Sequence, residues 1–197
     1  MTAKVLGVAG SMREGSYSTR GIHLCLHVAA ERGAETRLLD LRLAGLPMYQ
    51  PDEAADDHVR VVAEAVQWAD VFLLGTPDYH GSMSGAIKNF LDYHWAEFAG
   101  KLFGYVCASH EKGLTVMDHL RTAVRQCYGW SLPYGVSIHG EQDFDATGAI
   151  VNPRLAQRLN MLTRDLLVYG ELLRVQFDRD LNDRERETFA ARYGQRG

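Results

Sequence analysis

Val5-Leu6-Gly7-Val8-Ala9-Gly10-Ser11-Met12-Arg13-Glu14-Gly15-Ser16-Tyr17-Ser18 is the stretch whose reading decides the fold. Its first five residues form an apolar run of the kind that reads as a buried strand. From Thr19 to Glu31 the apolar residues Ile22, Leu26, Ala29 and Ala30 recur at helical spacing. Between the two lies a hydroxyl-rich loop flanked by glycines. A strand–loop–helix junction of this kind presents unpaired backbone N–H groups and the positive end of a helix dipole, which together make an anion site. A phosphate loop of the Walker type needs Lys directly after its second glycine; here Gly10 and Gly15 have the right separation but Ser16 follows. A dinucleotide fingerprint needs G-x-G-x-x-G at this turn, and Gly7 and Gly10 do not supply it. What remains is Ser11, Ser16, Ser18 and Thr19 with one guanidinium, Arg13. That set suits a single terminal phosphate held mainly by neutral donors. A serine-rich N-cap would look the same, and this loop alone does not separate the two readings.

Working outward, residues 36–41 read as a second strand, 58–69 as a helix and 71–75 as a strand buried on both faces. Residues 85–93 read as a helix, 102–108 as a fourth strand, 114–126 as a helix and 132–138 as a fifth strand. Asn152-Pro153 opens a long helix, because Pro is favoured in the first helical turn; its expected apolar face is Leu155, Leu159, Leu162, Leu166 and Tyr169. The irregular connection at 42–57 is expected to tuck Leu46-Pro47-Met48-Tyr49 against the core. Strands alternating with helices in this way imply an α/β fold, a three-layer sandwich with a five-stranded parallel sheet of order 2-1-3-4-5 and helices on both faces. Ligands bind such sheets beyond the carboxyl ends of the strands, at the switch point between strands one and three. The turn after strand three should therefore carry the other half of the site.

That turn is Thr76-Pro77-Asp78-Tyr79-His80-Gly81-Ser82-Met83-Ser84-Gly85. Pro77 stiffens it, the rings of Tyr79 and His80 are adjacent, and Gly81 and Gly85 permit unusual backbone angles. A plain structured loop ending in a Ser84 helix cap is the competing reading. A phosphate loop facing a ring-bearing loop fits a phosphorylated flat heterocycle.

Gly10-Ser11-x-Arg13-x-x-Ser16 and Thr76-Pro77-x-Tyr79-His80-Gly81-Ser82-x-Ser84-Gly85-x-x-Lys88-Asn89-x-x-Asp92 resemble the two hallmark motifs of the NADPH-dependent FMN reductase family. The resemblance covers about residues 3 to 170, and the second motif is the more specific. It implies a flavodoxin-like fold, FMN as cofactor and NADPH or NADH as co-substrate. The FMN phosphate would lie on Ser11, Arg13, Ser16 and Ser18, where many members carry Asn in place of Ser18. The flavin ring would lie against Pro77, Asp78, Tyr79, His80 and Gly81, where Asn is more usual than His80. Lys88, Asn89 and Asp92 read as structural. In a third loop, 109–113, Ser109 and Gly113 fit the small turn that family members place near the flavin, whereas His110, Glu111 and Lys112 are bulkier and more charged.

Family members include quinone, azo and chromate reductases. The implied activity is transfer of electrons from NAD(P)H through FMN to a small acceptor, with the hydride chemistry belonging to the flavin. Backbone N–H groups of the 77–81 loop would stabilise the reduced ring in the manner of an oxyanion hole. His80 is the nearby side chain whose unperturbed pKa allows proton delivery near neutrality. A flavodoxin-type electron carrier and a non-catalytic FMN-binding module are the alternatives. The resemblance also implies a homodimer or homotetramer, with residues 81–100 as the candidate contact surface.

Composition agrees with a globular chain. Of 197 residues, 46% are hydrophobic and 23% charged, and the formal net charge of −4 gives no electrostatic case for nucleic acid. No apolar run reaches membrane-spanning length, and the chain enters a strand too soon for a signal peptide; a cytoplasmic location is the expectation. Cys25, Cys107 and Cys127 form no C-x-x-C pair and point to a reducing compartment. None has Arg six residues on, so the phosphatase signature is absent, as is the serine elbow G-x-S-x-G. His23 and His27 are spaced as zinc ligands can be, but Leu24 replaces the Glu of H-E-x-x-H, so a surface role is expected. Trp68, Trp95 and Trp130 are expected in the core or an interface. The whole chain is expected to form one domain, with a core at about 3–173 and a helical extension at 174–197 that includes a short helix from Asp183.

Overall fold

The computed structural model describes residues 2–182 and 187–194. At its centre, β1 (Lys4–Ala9) pairs in parallel with β2 (Glu35–Asp40) on one side and β3 (Val71–Pro77) on the other. β4 (Leu102–Ala108) lies beside β3. The order 2-1-3-4-5 is as expected, with one difference. The expected fifth strand is two short pieces on the far edge of β4. β5 (Trp130–Ser131) pairs with Leu102 and Phe103, and β6 (Val136–Ile138) pairs with Val106 to Ala108. Pro133 falls in the gap. It has no N–H to give the ladder and its fixed φ breaks the strand there.

The sheet is buried on both sides, and alternation along β3 shows it. Phe72 and Leu74 face one apolar cluster while Val71 and Leu73 face the other. α1 (Tyr17–Glu31) and α5 (Pro153–Asn182) supply Ile22, Cys25, Leu26, Leu155, Leu159, Leu162 and Leu166 to one layer. α2 (Asp57–Trp68), α3 (Gly85–Asp92) and α4 (Leu114–Gln126) supply Val62, Val66, Ile87, Phe90, Val116 and Leu120 to the other. The starts of three helices are set by side chains that accept a first-turn N–H: Ser16 from Thr19 at 3.2 Å, Asp56 from Val59 at 2.9 Å and Ser84 from Ile87 at 3.3 Å.

Several expectations are corrected. α5 runs unbroken from Pro153 to Asn182, across the expected margin between core and extension near 173. Tyr169 is 47% exposed and belongs to the outer side of α5, not its apolar face. The expected helix start at Asp183 lies outside the described residues; α6 (Phe189–Tyr193) is the described helix beyond it, capped by Thr188. Of the tryptophans expected in the core or an interface, Trp95 and Trp130 are more than half exposed and so lie outside the core, whereas Trp68 packs at the core's margin under the Arg37 guanidinium. Of residues 46–49 only Leu46 packs on the core. Pro47 and Tyr49 are instead tethered by Asn89, whose side chain donates to the Pro47 carbonyl at 2.7 Å and accepts from the Tyr49 N–H at 2.8 Å. That is a structural role for Asn89, as expected. His23 and His27 are exposed, and His27 pairs with Glu31 at 3.2 Å.

Candidate active site

The carboxyl ends of β1, β3, β4 and β6 open into a cleft of about 1550 Å³. Four loops wall it, around residues 11–18, 77–81, 109–113 and 139–142. The residues assigned to the cofactor from sequence line it, namely Ser11, Arg13, Ser16, Ser18, Pro77, Asp78, Tyr79, His80, Gly81 and Ser109, whereas Thr19 of the anion loop does not. The first two loops are joined at their bases. The Gly10 N–H donates to the Gly75 carbonyl at 2.8 Å, and the Ser84 hydroxyl donates to the Gly10 carbonyl at 2.6 Å.

In the first loop Ser11 and Ser18 are buried and Ser16 nearly so, while Arg13 is exposed and makes no ion pair among the described residues. Ser16 caps α1, and its Oγ lies 3.0 Å from the Ser18 Oγ and 3.1 Å from the Thr19 Oγ1. The cap reading is met, and the same arrangement leaves room for an anion. The first N–H groups of α1 have no partner within the helix, and no acidic residue occupies its first turn. Buried hydroxyls, open helix N–H groups and one unpaired guanidinium are a donor set that fits a monoester phosphate.

The second loop is built differently. The Tyr79 N–H donates to the Ser82 carbonyl at 3.0 Å and the Ser82 N–H to the Tyr79 carbonyl at 3.1 Å. The two residues between them, His80 at φ 56° and Gly81 at φ 78°, are both left-handed. Such a turn favours Gly, Asn, Asp or His at these positions. Asp78 accepts from the Gly81 N–H at 2.9 Å and from the Ser109 hydroxyl at 2.8 Å, while its own N–H donates to the Ala108 carbonyl at 2.8 Å. The side chains of Asp78 and Ser109 are thus committed to holding two loops together. Pro77 has no N–H, so His80 carries the one backbone N–H of residues 77–81 left without a partner among the described residues. Beneath the turn, burial pushes the Cys107 thiol up to about 12, with the Asp78 charge adding to the effect, so it stays protonated.

Two features of the cleft were not read from sequence. Arg20 reaches it from α1, with its guanidinium 5.5 Å from the centre of the Tyr17 ring. Residues 139–142 form the fourth wall, where the His139 Nε2–H donates to the His110 carbonyl at 2.6 Å. No motif marks this wall. The signal that could have found it is topological, since the rule that sites lie beyond strand carboxyl ends applies to the last strand as much as to the third.

The comparisons with known proteins agree on a family. The family model for NADPH-dependent FMN reductase matches residues 3–143. The chain belongs to the NADPH-dependent FMN reductase family. An NADPH azoreductase of a Bacillus species is 30% identical over 144 residues, which is 70% of this chain and 81% of that protein. An NAD(P)H-dependent FMN reductase of Pseudomonas aeruginosa is 28% identical over 184 residues, 87% of this chain and 97% of that one. Among solved structures, FerB, a flavoenzyme NAD(P)H:acceptor oxidoreductase of Paracoccus denitrificans, superposes with a TM-score of 0.73 at 20% identity. That match covers 87% of this chain and 98% of FerB and shows the shared fold. As a member of the reductase family the chain is an enzyme with FMN as cofactor, and the donors of its first loop fit that group.

Proposed function

We propose that this reductase passes electrons from NADPH or NADH through FMN to a small acceptor such as a quinone, a free flavin, an azo compound or chromate. The observation that carries the reading is the meeting of two motif loops, some sixty residues apart in sequence, at the switch point of a parallel sheet. One offers a monoester-phosphate receptor and the other a stiff turn beside open space.

Bound FMN supplies the hydride-accepting and hydride-donating ring. Ser11, Ser16 and Ser18 hold its phosphate with the α1 N-terminus, and Arg13 closes over it from the solvent side. Pro77, Asp78, Tyr79, His80 and Gly81 bear on the ring, with Asp78 and Ser109 acting through the shape they impose. The unpaired His80 N–H is the loop's available donor to charge developing at the ring edge. The cleft is larger than a usual single-ligand pocket, which leaves room for coenzyme or acceptor to dock beside the ring. Residues 81–100 are the proposed contact surface of a homodimer or homotetramer, and exposed Trp95 is its largest apolar side chain. Among the described residues no helix is long and apolar enough to cross a membrane; a cytoplasmic location is proposed.

The test is to mix purified protein, FMN, NADPH and a quinone. Rapid coenzyme oxidation is expected. Flavin bound without turnover would instead support an electron carrier or a non-catalytic flavin module.

A further inference from the structure

His139 stands just past the carboxyl end of β6, facing the loop that follows β4. Its Nε2 lies 2.6 Å from the carbonyl oxygen of His110. A carbonyl can only accept, so this nitrogen carries the proton. The backbone that carries this imidazole is itself held. The His139 backbone N–H donates to one carboxylate oxygen of buried Asp143 at 2.6 Å, and the other oxygen accepts from the Asn152 side-chain amide at 2.6 Å, where α5 begins. The two histidine rings meet edge to face with centroids 6.0 Å apart.

The segment held in this way is bulkier and more charged than the small turn that the resemblance implies here. The side chains of His110, Glu111 and Lys112 are exposed on the cleft wall and make no hydrogen bond or ion pair among the described residues. The loop's other ties gather at Ser109. Its N–H donates to the Ile138 carbonyl at 3.0 Å, its hydroxyl donates to Asp78, and that oxygen accepts from the Glu111 N–H at 3.0 Å. Beyond Ser109, the His139 contact is the link that fixes where the 110–112 segment lies. A loop ordered before binding does not lose that freedom when a ligand docks on it.

We propose that His139 is a positioning residue: its Nε2–H locks the 110–112 segment against the cleft and so sets how tightly the second molecule, coenzyme or acceptor, docks beside the flavin. The inference rests on the oxidoreductase reading above.

The experiment compares His139→Ala with His139→Gln, whose amide N–H can reach the same carbonyl. Amide hydrogen exchange at residues 111–113 is followed in the full chain without coenzyme, and KM and kcat are measured with saturating FMN. Alanine should speed exchange in the segment and raise KM for NADPH and quinone about fivefold or more, with kcat and FMN affinity moving about twofold or less. Glutamine should restore most of both. Unchanged exchange and unchanged KM in the alanine variant would overturn the proposal, as would a glutamine variant indistinguishable from alanine. If the parent protein binds FMN and oxidises no coenzyme, the oxidoreductase reading fails, and the exchange arm still decides whether His139 holds the loop.

Discussion

The two sides of the cleft solve recognition in opposite ways. On the proposed phosphate side, hydroxyls, helix N–H groups and the Arg13 guanidinium line the cleft with few internal demands beyond the Ser16 cap. On the ring side most backbone polar groups and the side chains of Asp78 and Ser109 are already taken, by Asp78 with Gly81 and Ser109, by Tyr79 with Ser82 and by the His110 carbonyl with His139. A charged terminus is best read by donors aimed at it. A flat ring is best read by a surface of fixed shape, and fixing a loop consumes its hydrogen bonds. Substitutions on the first side should therefore change ligand affinity, and those on the second should change stability.

The largest effect is expected where the two sides join. A Cβ on Gly10 would stand 2.0 Å from the Ile87 Cγ1 and 2.9 Å from the Gly75 carbonyl oxygen. Gly10→Ala should cost about 3 kcal/mol or more in urea unfolding and weaken both loops together. A loss below about 0.5 kcal/mol would mean the junction yields and the two sides are not rigidly joined.

Acid should produce a loss of similar size that belongs to neither side. His94 lies just beyond the C-terminal end of α3, buried between Phe90 and Phe98 with its Nε2 unpartnered. Burial pulls its pKa from 6.5 down to about 4, with Glu97 opposing and Lys101 adding. The unfolded chain therefore binds the extra proton first. The stability present above pH 6.5 should fall as pH drops toward 4, by about 3 kcal/mol. His94→Leu should flatten that slope. If it does not, the acid sensitivity lies elsewhere, and comparisons of the two loops need to be made well above pH 6.5.

Next come the substitutions that separate the sides directly. Asp78→Ala removes a carboxylate that accepts two hydrogen bonds and should cost about 2 kcal/mol of stability. Ser11→Ala with Arg13→Ala should leave thermal stability nearly unchanged while weakening FMN binding about 30-fold, some 2 kcal/mol, in a fluorescence titration. The reverse pattern, stable Asp78→Ala and an unstable phosphate-side pair, would break the contrast between the two sides.

The same contrast explains what was legible in sequence. Apolar runs of strand length place β1, β3 and β4, and the switch-point rule joins residues 10–18 to residues 76–85 from sequence alone. Hydroxyls and a guanidinium point to anion chemistry by residue type, so the proposed phosphate side can be assigned residue by residue from sequence. The ring side could be located but not apportioned. Nothing in the letters shows that Asp78 and Ser109 bond to each other across 31 residues or that three of the loop's backbone N–H groups are occupied. The fourth wall had no signature at all, because its contribution is one histidine bonding a carbonyl on another loop. The split of the fifth strand at Pro133 was open to view, since proline's missing donor is a local fact.

The smallest expected effect concerns His80, the residue the sequence marked as a proton donor. At φ 56° its Cβ is disfavoured, and glycine would relieve that at the cost of a more flexible unfolded chain. His80→Gly should shift stability by about 1 kcal/mol or less, toward greater stability if strain relief dominates. Both His80→Gly and His80→Asn keep the unpaired backbone N–H and tolerate the left-handed turn. If His80 serves the flavin through that N–H, the pH profile of turnover keeps its shape in both variants. Loss of a limb near neutrality in both, with melting temperature and FMN affinity held, would return the proton to the imidazole. The ring side would then contain one side chain that acts by chemistry and not by shape.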